Sequence, residues 1–174
     1  CSSDLSEARF LRSWWYYRLN ALYGNIPYYT KALTSTDDTK NAKQCTQDEM
    51  WANLVTDLTL CIEDKNLPDK YSSSDDNYGH ITKGAAYALR GIVYMWQKQW
   101  QKAINDFQSV KDCGYKLYTG SGTNSYKQLF KLANEHCDEM IFSIQCTDKD
   151  NGSSSHQKNH FYGSRCLPND GSGV

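Results

Sequence analysis

Residues 84–118 read GAAYALRGIVYMWQKQWQKAINDFQSVKDCGYKLY, which is two amphipathic runs around a short polar turn at 97–101. The run matches most marker positions of a 34-residue helix–turn–helix repeat, in which aromatic, glycine and alanine residues recur at fixed spacing. The matching residues are Tyr87, Gly91, Tyr94, Ala103 and Phe107. Arg90 departs from the pattern because the repeat has leucine there. The stretch therefore predicts a helical hairpin.

Small residues on the first run indicate how this hairpin packs. Gly84, Ala88 and Gly91 form one stripe on which a second helix can approach closely, and the aromatic rings fill the wider gaps around it. We expect Gly91 to face Ala103 across the hairpin. This is a tetratricopeptide-like (TPR-like) unit, and it needs neighbours because a single hairpin cannot bury its own apolar face.

Helices are predicted at about 4–23, 46–64, 82–98 and 100–113; the last two form the hairpin, and the first two are its neighbours. Asp4 is expected to cap the first helix and Gly24 to end it, whereas Thr46 and Glu49 form a capping box for the second. Thr82 is expected to cap the third. The apolar face of the first helix is expected to consist of Leu5, Ala8, Leu11, Trp15, Leu19 and Leu22. That of the second consists of Met50, Leu54, Leu58, Cys61 and Ile62.

The remaining segments are less regular. Residues 34–45 are polar without periodicity and predict a loop, and 126–132 predicts a short helix. Residues 140–145 alternate, which suits one short strand or an extended segment on the helices. The fold class is thus mainly α, with TPR-like hairpins, long irregular loops and at most one short strand. We expect residues 1–174 to form a single domain with an irregular tail at 146–174.

Composition limits the possible functions. The chain has 174 residues and a net charge of −1 without a basic block, so nucleic acid is not an expected partner. No apolar run approaches the 18 residues that a membrane-spanning helix needs. The 13 Tyr and 5 Trp are numerous beside sparse aliphatic residues. Aromatic rings suit the core, and they also suit sugar binding, where ring faces stack on C–H groups.

No motif predicts catalysis, a metal or a cofactor. The seven cysteines include no C-x2-C pair, which leaves zinc and thioredoxin-type chemistry without support and the redox compartment open. His156 and His160 have the spacing of two ligands on one helix face, but their Gly/Ser/Asn-rich surroundings disfavour a helix. The run at 148–152 lacks the closing glutamate of a calcium loop.

Taken in order, five blocks resemble the SusD/RagB family of outer-membrane nutrient-binding lipoproteins. The blocks are EARFLRSWWYYRLNALYGNIPYY at 7–29, the helix end at 57–68, GHITKGAAYALRGIVYMWQKQWQKAINDFQSV at 79–110, GYKL at 114–117 and YKQLF…NEHCDEMIFSIQ at 126–145. Arg90, Gly91, Ile92 and His80 depart from the residues usual in the family. The resemblance covers nearly all of 7–145.

The resemblance implies a non-enzymatic protein at the cell surface that binds glycans and assists a SusC-like TonB-dependent transporter. It also implies an outer-membrane location through a lipid anchor on a longer full-length protein, so that Cys1 is where a fragment begins rather than the lipidated cysteine. Within this chain, the candidate ligand-binding residues are aromatic and polar side chains of irregular segments: Tyr28, Tyr29, Asn159, His160, Phe161 and Tyr162.

Two other functions remain possible from the residues. One is a TPR-type module for protein–protein interaction, which would bind a peptide in its groove. Several equal 34-residue units would favour it, whereas only one clear unit is present. The other is an enzyme that uses the polar tail, for which no motif is matched. For the glycan binder, loop packing on the helices is the favoured explanation of Tyr28 and Tyr29, whereas packing and ligand binding explain Phe161 and Tyr162 equally well.

Overall fold

The computed structural model describes residues 3–40, 42–120 and 122–143, and all of the helices lie within the first of its two units, Cys1–Phe142. Within these ranges all regular structure is helical, apart from a single antiparallel bridge between Ile26 and Cys45. The helices are α1 (Asp4–Tyr23), α2 (Thr36–Lys40), α3 (Gln47–Glu63), α4 (Lys83–Trp96), α5 (Trp100–Asp112) and α6 (Ser125–Leu129), with 3₁₀ turns at Gly122–Asn124 and Leu132–Asn134. The predicted mainly α class is confirmed.

The four long helices pack in chain order, α1 on α3, α3 on α4 and α4 on α5. This is the arrangement that neighbouring helical hairpins adopt. The core between α1, α3 and α4 is continuous, because these helices bury side chains that contact one another: Phe10, Met50, Trp51, Leu54, Leu58, Cys61, Ala85, Ala86, Leu89 and Val93. The predicted apolar face of α3 therefore points into the core, with Ile62 partly buried beside it.

Local signals at the helix ends are confirmed for α3 and α4. The Glu49 N–H donates to Thr46 Oγ1 at 3.3 Å, and the Thr46 N–H donates to Glu49 Oε2 at 2.7 Å, which completes the capping box. The Ala85 N–H donates to Thr82 Oγ1 at 3.2 Å. Gly24 follows α1 with a φ of 72°, a conformation that glycine adopts without steric cost.

The α4–α5 hairpin is confirmed, but its contacts differ from the expected ones. A Cβ placed on Gly91 would meet the ring of Phe107 at 2.8 Å, so Phe107 rather than Ala103 is the group that approaches Gly91. Arg90 is accommodated because its Nε and Nη2 donate to Asp106 at 2.8 and 2.7 Å. An ion pair between α4 and α5 thus occupies the position where the repeat pattern has leucine.

Two local predictions are wrong. Helix α1 begins at Asp4 itself, so the capping position belongs to Ser3, whose side chain makes no capping hydrogen bond. The predicted loop at 34–45 contains the short helix α2, which Lys40 supports through an ion pair with Asp37 at 2.7 Å. Such a single polar turn carries no apolar periodicity that would predict it.

The prediction that the apolar face of α1 packs into the core is also wrong. Its aliphatic and indole side chains are exposed, and Leu22 keeps 73% of its surface and Trp15 keeps 56%. The side that packs on α3 instead buries Ser6, Phe10, Ser13 and Asn20. Periodicity identifies an apolar face, but it does not identify the element that covers it.

The segment at 140–143, which lies beyond the last 3₁₀ turn, packs on the helices without regular structure. Residues 140–143 form no strand, which agrees with the second of the two predicted structures. The Phe142 ring lies edge-on to Phe10 at 5.2 Å and to Trp14 at 5.3 Å, so this segment closes the core beside α1. The possible strand residues 144–145 and the tail 146–174 lie outside the described residues, and the single-domain assignment stays a prediction.

Candidate functional site

The turn after α1 fixes the extended segment that carries Tyr28 and Tyr29. The buried Asn20 side chain donates from Nδ2 to the Gly24 carbonyl at 2.7 Å. The Ile26 carbonyl accepts the Cys45 N–H at 3.1 Å and the Cys45 thiol at 3.0 Å. Pro27 then prevents a return to helix, so the backbone runs extended across α1 and α3.

The Tyr28 side chain joins α1 to α3. Its hydroxyl donates to Asp57 Oδ2 on α3, and its ring lies edge-on to Tyr16 of α1 with centroids 4.8 Å apart. The Arg12 guanidinium lies over the same ring, 5.7 Å from its centroid. Tyr28 is therefore half-buried, with its polar end fully engaged.

Asp57 and Arg12 form the charged centre of this site. Asp57 is only 7% exposed, and its carboxylate accepts hydrogen bonds from Arg12 Nε at 3.0 Å and Nη2 at 2.7 Å. Arg12 Nη1 reaches the Thr30 carbonyl at 3.4 Å, which ties the end of the extended segment to α1. A planar guanidinium suits such a bidentate contact because its donors match both carboxylate oxygens.

Burial of the Tyr28 phenol raises the pKa of its hydroxyl well above the ordinary value of 10, and the hydrogen bond to Asp57 raises the pKa further. Tyr28 thus remains a neutral donor throughout the physiological range. A proton held this firmly is unsuited to acid–base exchange, since efficient proton transfer needs a pKa near the working pH.

Tyr29 is held differently. Its backbone N–H donates to the Tyr16 hydroxyl at 3.0 Å, and its side chain is half-buried. The structure therefore brings Tyr28 and Tyr29 together with Tyr16 on one rigid support, where the backbone of Tyr29 carries the hydrogen bond to that support. A partly exposed side chain on a hydrogen-bonded backbone is a suitable geometry for stacking on a sugar.

The other four predicted site residues, Asn159, His160, Phe161 and Tyr162, lie outside the described residues. So do His156 and His160 as a possible metal pair. Of the described histidines, His80 contacts Glu7 at 3.0 Å and His136 packs edge-on to Tyr78 at 4.8 Å. Within 3–40, 42–120 and 122–143, no three His, Cys, Asp or Glu side chains are grouped as metal ligands.

The sequence prediction missed Arg12, Tyr16 and Asp57 as parts of the site. Arg12 and Asp57 are 45 residues apart in the chain. No local spacing connects them, although a carboxylate within the apolar run of α3 is a residue that must find a partner once buried.

Over residues 3–40, 42–120 and 122–143, no helix is long and apolar enough to cross a bilayer.

A family model described as "Starch-binding associating with outer membrane" matches residues 4–95, which is more than half of the chain. The chain belongs to this SusD-like family. The matched range contains α1, α3, most of α4 and the whole Arg12–Tyr28–Asp57 site, so this site lies in the part of the chain by which the family is identified.

Curated and solved relatives agree with the SusD-like assignment. SusD-like protein P25 of Formosa agariphila is 24% identical over 140 residues, which are 80% of this chain and 25% of that protein. The crystal structure of a SusD-like protein from Bacteroides fragilis is 29% identical with a TM-score of 0.71, over 83% of this chain and 27% of that one. A laminarin-binding SusD-like protein is 28% identical with a TM-score of 0.69, over 82% of this chain and 30% of that one.

This SusD-like chain therefore spans about a quarter of the length of the curated relative and less than a third of the two solved chains. It belongs to a carbohydrate-binding family associated with the outer membrane.

Proposed function

We propose that the full-length protein binds a neutral glycan at the bacterial surface without cleaving it and assists its uptake through a SusC-like TonB-dependent transporter. The observation that carries the proposal is the family match over 4–95, together with similarity to a protein that binds laminarin, a glucan. A lipid anchor on the full-length protein would hold it at the outer membrane.

The described residues support a binding role by their chemistry. Arg12 and Asp57 are paired with each other, and the neutral Tyr28 hydroxyl donates to the Asp57 carboxylate. Neither member of this pair is left as an unpaired charge for an ionic ligand, whereas a neutral sugar needs only ring faces and hydrogen-bonding groups. We propose Tyr29 as the stacking ring of this segment and Tyr28 as its support.

The remaining contacts would come from the tail residues Asn159, His160, Phe161 and Tyr162. Two adjacent rings preceded by an amide and an imidazole suit a glycan, because the rings cover sugar C–H faces and the amide and imidazole groups pair with hydroxyls. Loss of one stacking ring is expected to weaken binding by about 1–2 kcal/mol.

The experiment is a glycan array on the full-length protein, followed by calorimetry with the strongest neutral ligand. The test variant is Phe161→Ala with Tyr162→Ala. A matched control is Tyr126→Ala with Phe130→Ala, which removes the same two ring types from exposed positions on α6 and directly after it, 78% and 66% exposed. Weaker binding in the test variant and unchanged binding in the control support the proposal. If the test variant binds as strongly as the wild type, the tail is not the binding site. An array on which no glycan is bound contradicts the proposed function.

A further inference from the structure

The turn between α4 and α5 presents an indole ring on a rigid base. Trp96 is the last residue of α4, and its ring stacks on Trp51 of α3 with centroids 5.9 Å apart and planes inclined by 20°. Trp51 is only 3% exposed and also packs on Tyr17 of α1, with centroids 6.3 Å apart. Trp96 nevertheless keeps 52% of its surface exposed. The buried ring therefore fixes the Trp96 indole, and the remaining indole surface is open to solvent.

Amide side chains accompany this ring along the turn. Residues 96–101 read WQKQWQ, so that two indoles alternate with polar side chains. The Gln99 side chain donates from Nε2 to Gln97 Oε1 at 3.2 Å, which orients the two amides relative to each other. Trp100 begins α5 directly after the turn and is 58% exposed. Amides offer donors and acceptors to hydroxyl groups, and indoles offer faces to C–H groups, so the turn suits a sugar.

Lys98, at the centre of the turn, adopts a backbone conformation that glycine adopts more easily. Its φ is 58°, the only positive value among the non-glycine residues that the structure describes. This left-handed region is sterically disfavoured for a residue with a side chain. Lys98 is exposed, whereas the ammonium group of Lys102 lies over the Tyr94 ring at 5.4 Å. A lysine that is held in a disfavoured conformation beside an exposed ring indicates a use for its side chain.

The composition of the turn argues against two other uses of this surface. A segment that lies in a bilayer buries a continuous apolar face, whereas three polar residues separate Trp96 from Trp100. A protein interface of standard size needs roughly 20–30 residues from each partner. A single fixed ring with a few polar groups around it is instead the size of a small ring-shaped ligand.

We propose that Trp96, together with Lys98 and the two amides of the turn, forms a second binding point for the glycan chain. The Trp96 ring stacks on one sugar unit of a neutral polysaccharide. The amide groups and the Lys98 ammonium group donate hydrogen bonds to the hydroxyls of that unit. The inference rests on the proposed function, and it adds a contact that the segment with Tyr28 and Tyr29 does not supply.

The two binding points are separate places on one support. Trp96 meets α3 at Trp51, whereas Tyr28 meets α3 at Asp57. These two positions of α3 are about 9 Å apart along the helix axis, at 1.5 Å per residue. A polysaccharide that is held at both points binds more tightly than one that is held at either point, because the second contact is intramolecular.

The test measures the affinity of the full-length protein for the neutral polysaccharide that binds most strongly on the array, by retardation in native gels that contain it. Trp96→Ala removes the ring and should weaken binding by about 10-fold. The matched control is Ile104→Ala, which removes exposed apolar surface from α5 without removing a ring. Its affinity should stay within about 2-fold of the wild type.

Lys98→Gly separates a role in binding from a role in the fold. Glycine adopts the left-handed conformation without steric cost, so the Tm should rise. Loss of the ammonium donors should weaken binding of the same polysaccharide by about 3-fold. A variant that is more stable and binds less tightly is not explained by unfolding. Both losses should be the same at low and high salt, because a neutral sugar forms no ion pair.

Four results would overturn the inference. Full affinity in either Trp96→Ala or Lys98→Gly would mean that the turn does not touch the glycan. Equal losses in Trp96→Ala and Ile104→Ala would assign the surface to apolar contact with a protein or a membrane. Losses that disappear at high salt would mean that Lys98 binds an anion. These three results leave glycan binding itself intact, whereas a wild type that binds no neutral polysaccharide contradicts the proposed function as well.

Discussion

Arg12 on α1 and Asp57 on α3 form a bidentate ion pair, with Nη2 and Oδ1 2.7 Å apart, and the Tyr28 hydroxyl donates to the same carboxylate. Two helices and the segment after α1 therefore meet at one buried acid. The carboxylate is nearly inaccessible, whereas the Arg12 side chain remains a quarter exposed. A buried charge that loses its partner is costly, although exposure of one member reduces that cost.

We expect Arg12→Met to lower the free energy of unfolding by about 2 kcal/mol, because it leaves the Asp57 carboxylate with Tyr28 but without a counter-charge. Urea denaturation measures this change. The control is Lys40→Met, which breaks the exposed pair with Asp37 and should cost less than about 0.5 kcal/mol. The double variant Arg12→Met with Asp57→Leu should recover part of the loss. Equal midpoints for the Arg12 and Lys40 variants would contradict a structural role for the pair.

Two glycines of α4 should differ in their tolerance of a methyl group. A Cβ on Gly84 would lie 2.8 Å from Tyr115 Cδ2, and Tyr115 is buried with its hydroxyl 2.9 Å from Thr82 Oγ1. Gly91 faces Phe107, whose ring is partly exposed and can turn outward. We expect Gly84→Ala to destabilise by about 2–3 kcal/mol and Gly91→Ala by about 1 kcal/mol. Thermal denaturation that ranks them in the reverse order would mean that Tyr115 is not fixed.

The buried Cys61 thiol should make the free energy of unfolding decrease as the pH rises through the alkaline range. Burial raises the pKa of Cys61 to about 12, and its thiol donates to the Ser6 carbonyl at 3.2 Å. The unfolded thiol loses its proton near pH 8.5, so the stabilisation is complete below that pH and is lost as pH rises towards 12. Above pH 9 the unfolding free energy of the wild type should therefore fall more steeply than that of Cys61→Ala, by up to about 1.4 kcal/mol per pH unit. Parallel slopes would show that Cys61 ionises normally in the folded protein.

The parts of the fold that could be predicted are those that local physics determines. Thr46 and Glu49 satisfy each other's backbone, and Met50, Leu54 and Leu58 lie on one side of α3 wherever that helix packs. Such signals require no knowledge of distant residues. For the same reason α4 and α5 were predicted within a few residues of their observed ends.

Contacts between distant residues could not be predicted. The Arg12–Asp57 pair joins residues 45 apart, and no spacing within α1 or α3 indicates it. The exposed apolar face of α1 shows the second difficulty. Leu11, Trp15 and Leu19 have a clear period, but Ser13 and Asn20 on the other side are buried because small side chains permit a close helix contact. In the candidate site, the proline turn indicates Tyr28 and Tyr29. Their contacts with Tyr16 are visible only in the structure.

The measurement that tests the central claim most directly is calorimetric titration of the full-length protein with its strongest array glycan, at low and high salt. Because a neutral sugar forms no ion pair, we expect nearly the same Kd at both salt concentrations. Tyr29→Ala should weaken binding by about 1–2 kcal/mol, and Tyr126→Ala, an exposed ring on α6, should leave it unchanged. Absence of binding to every neutral glycan, or a Kd that rises steeply with salt, would contradict neutral-glycan binding as the function of this SusD-like protein.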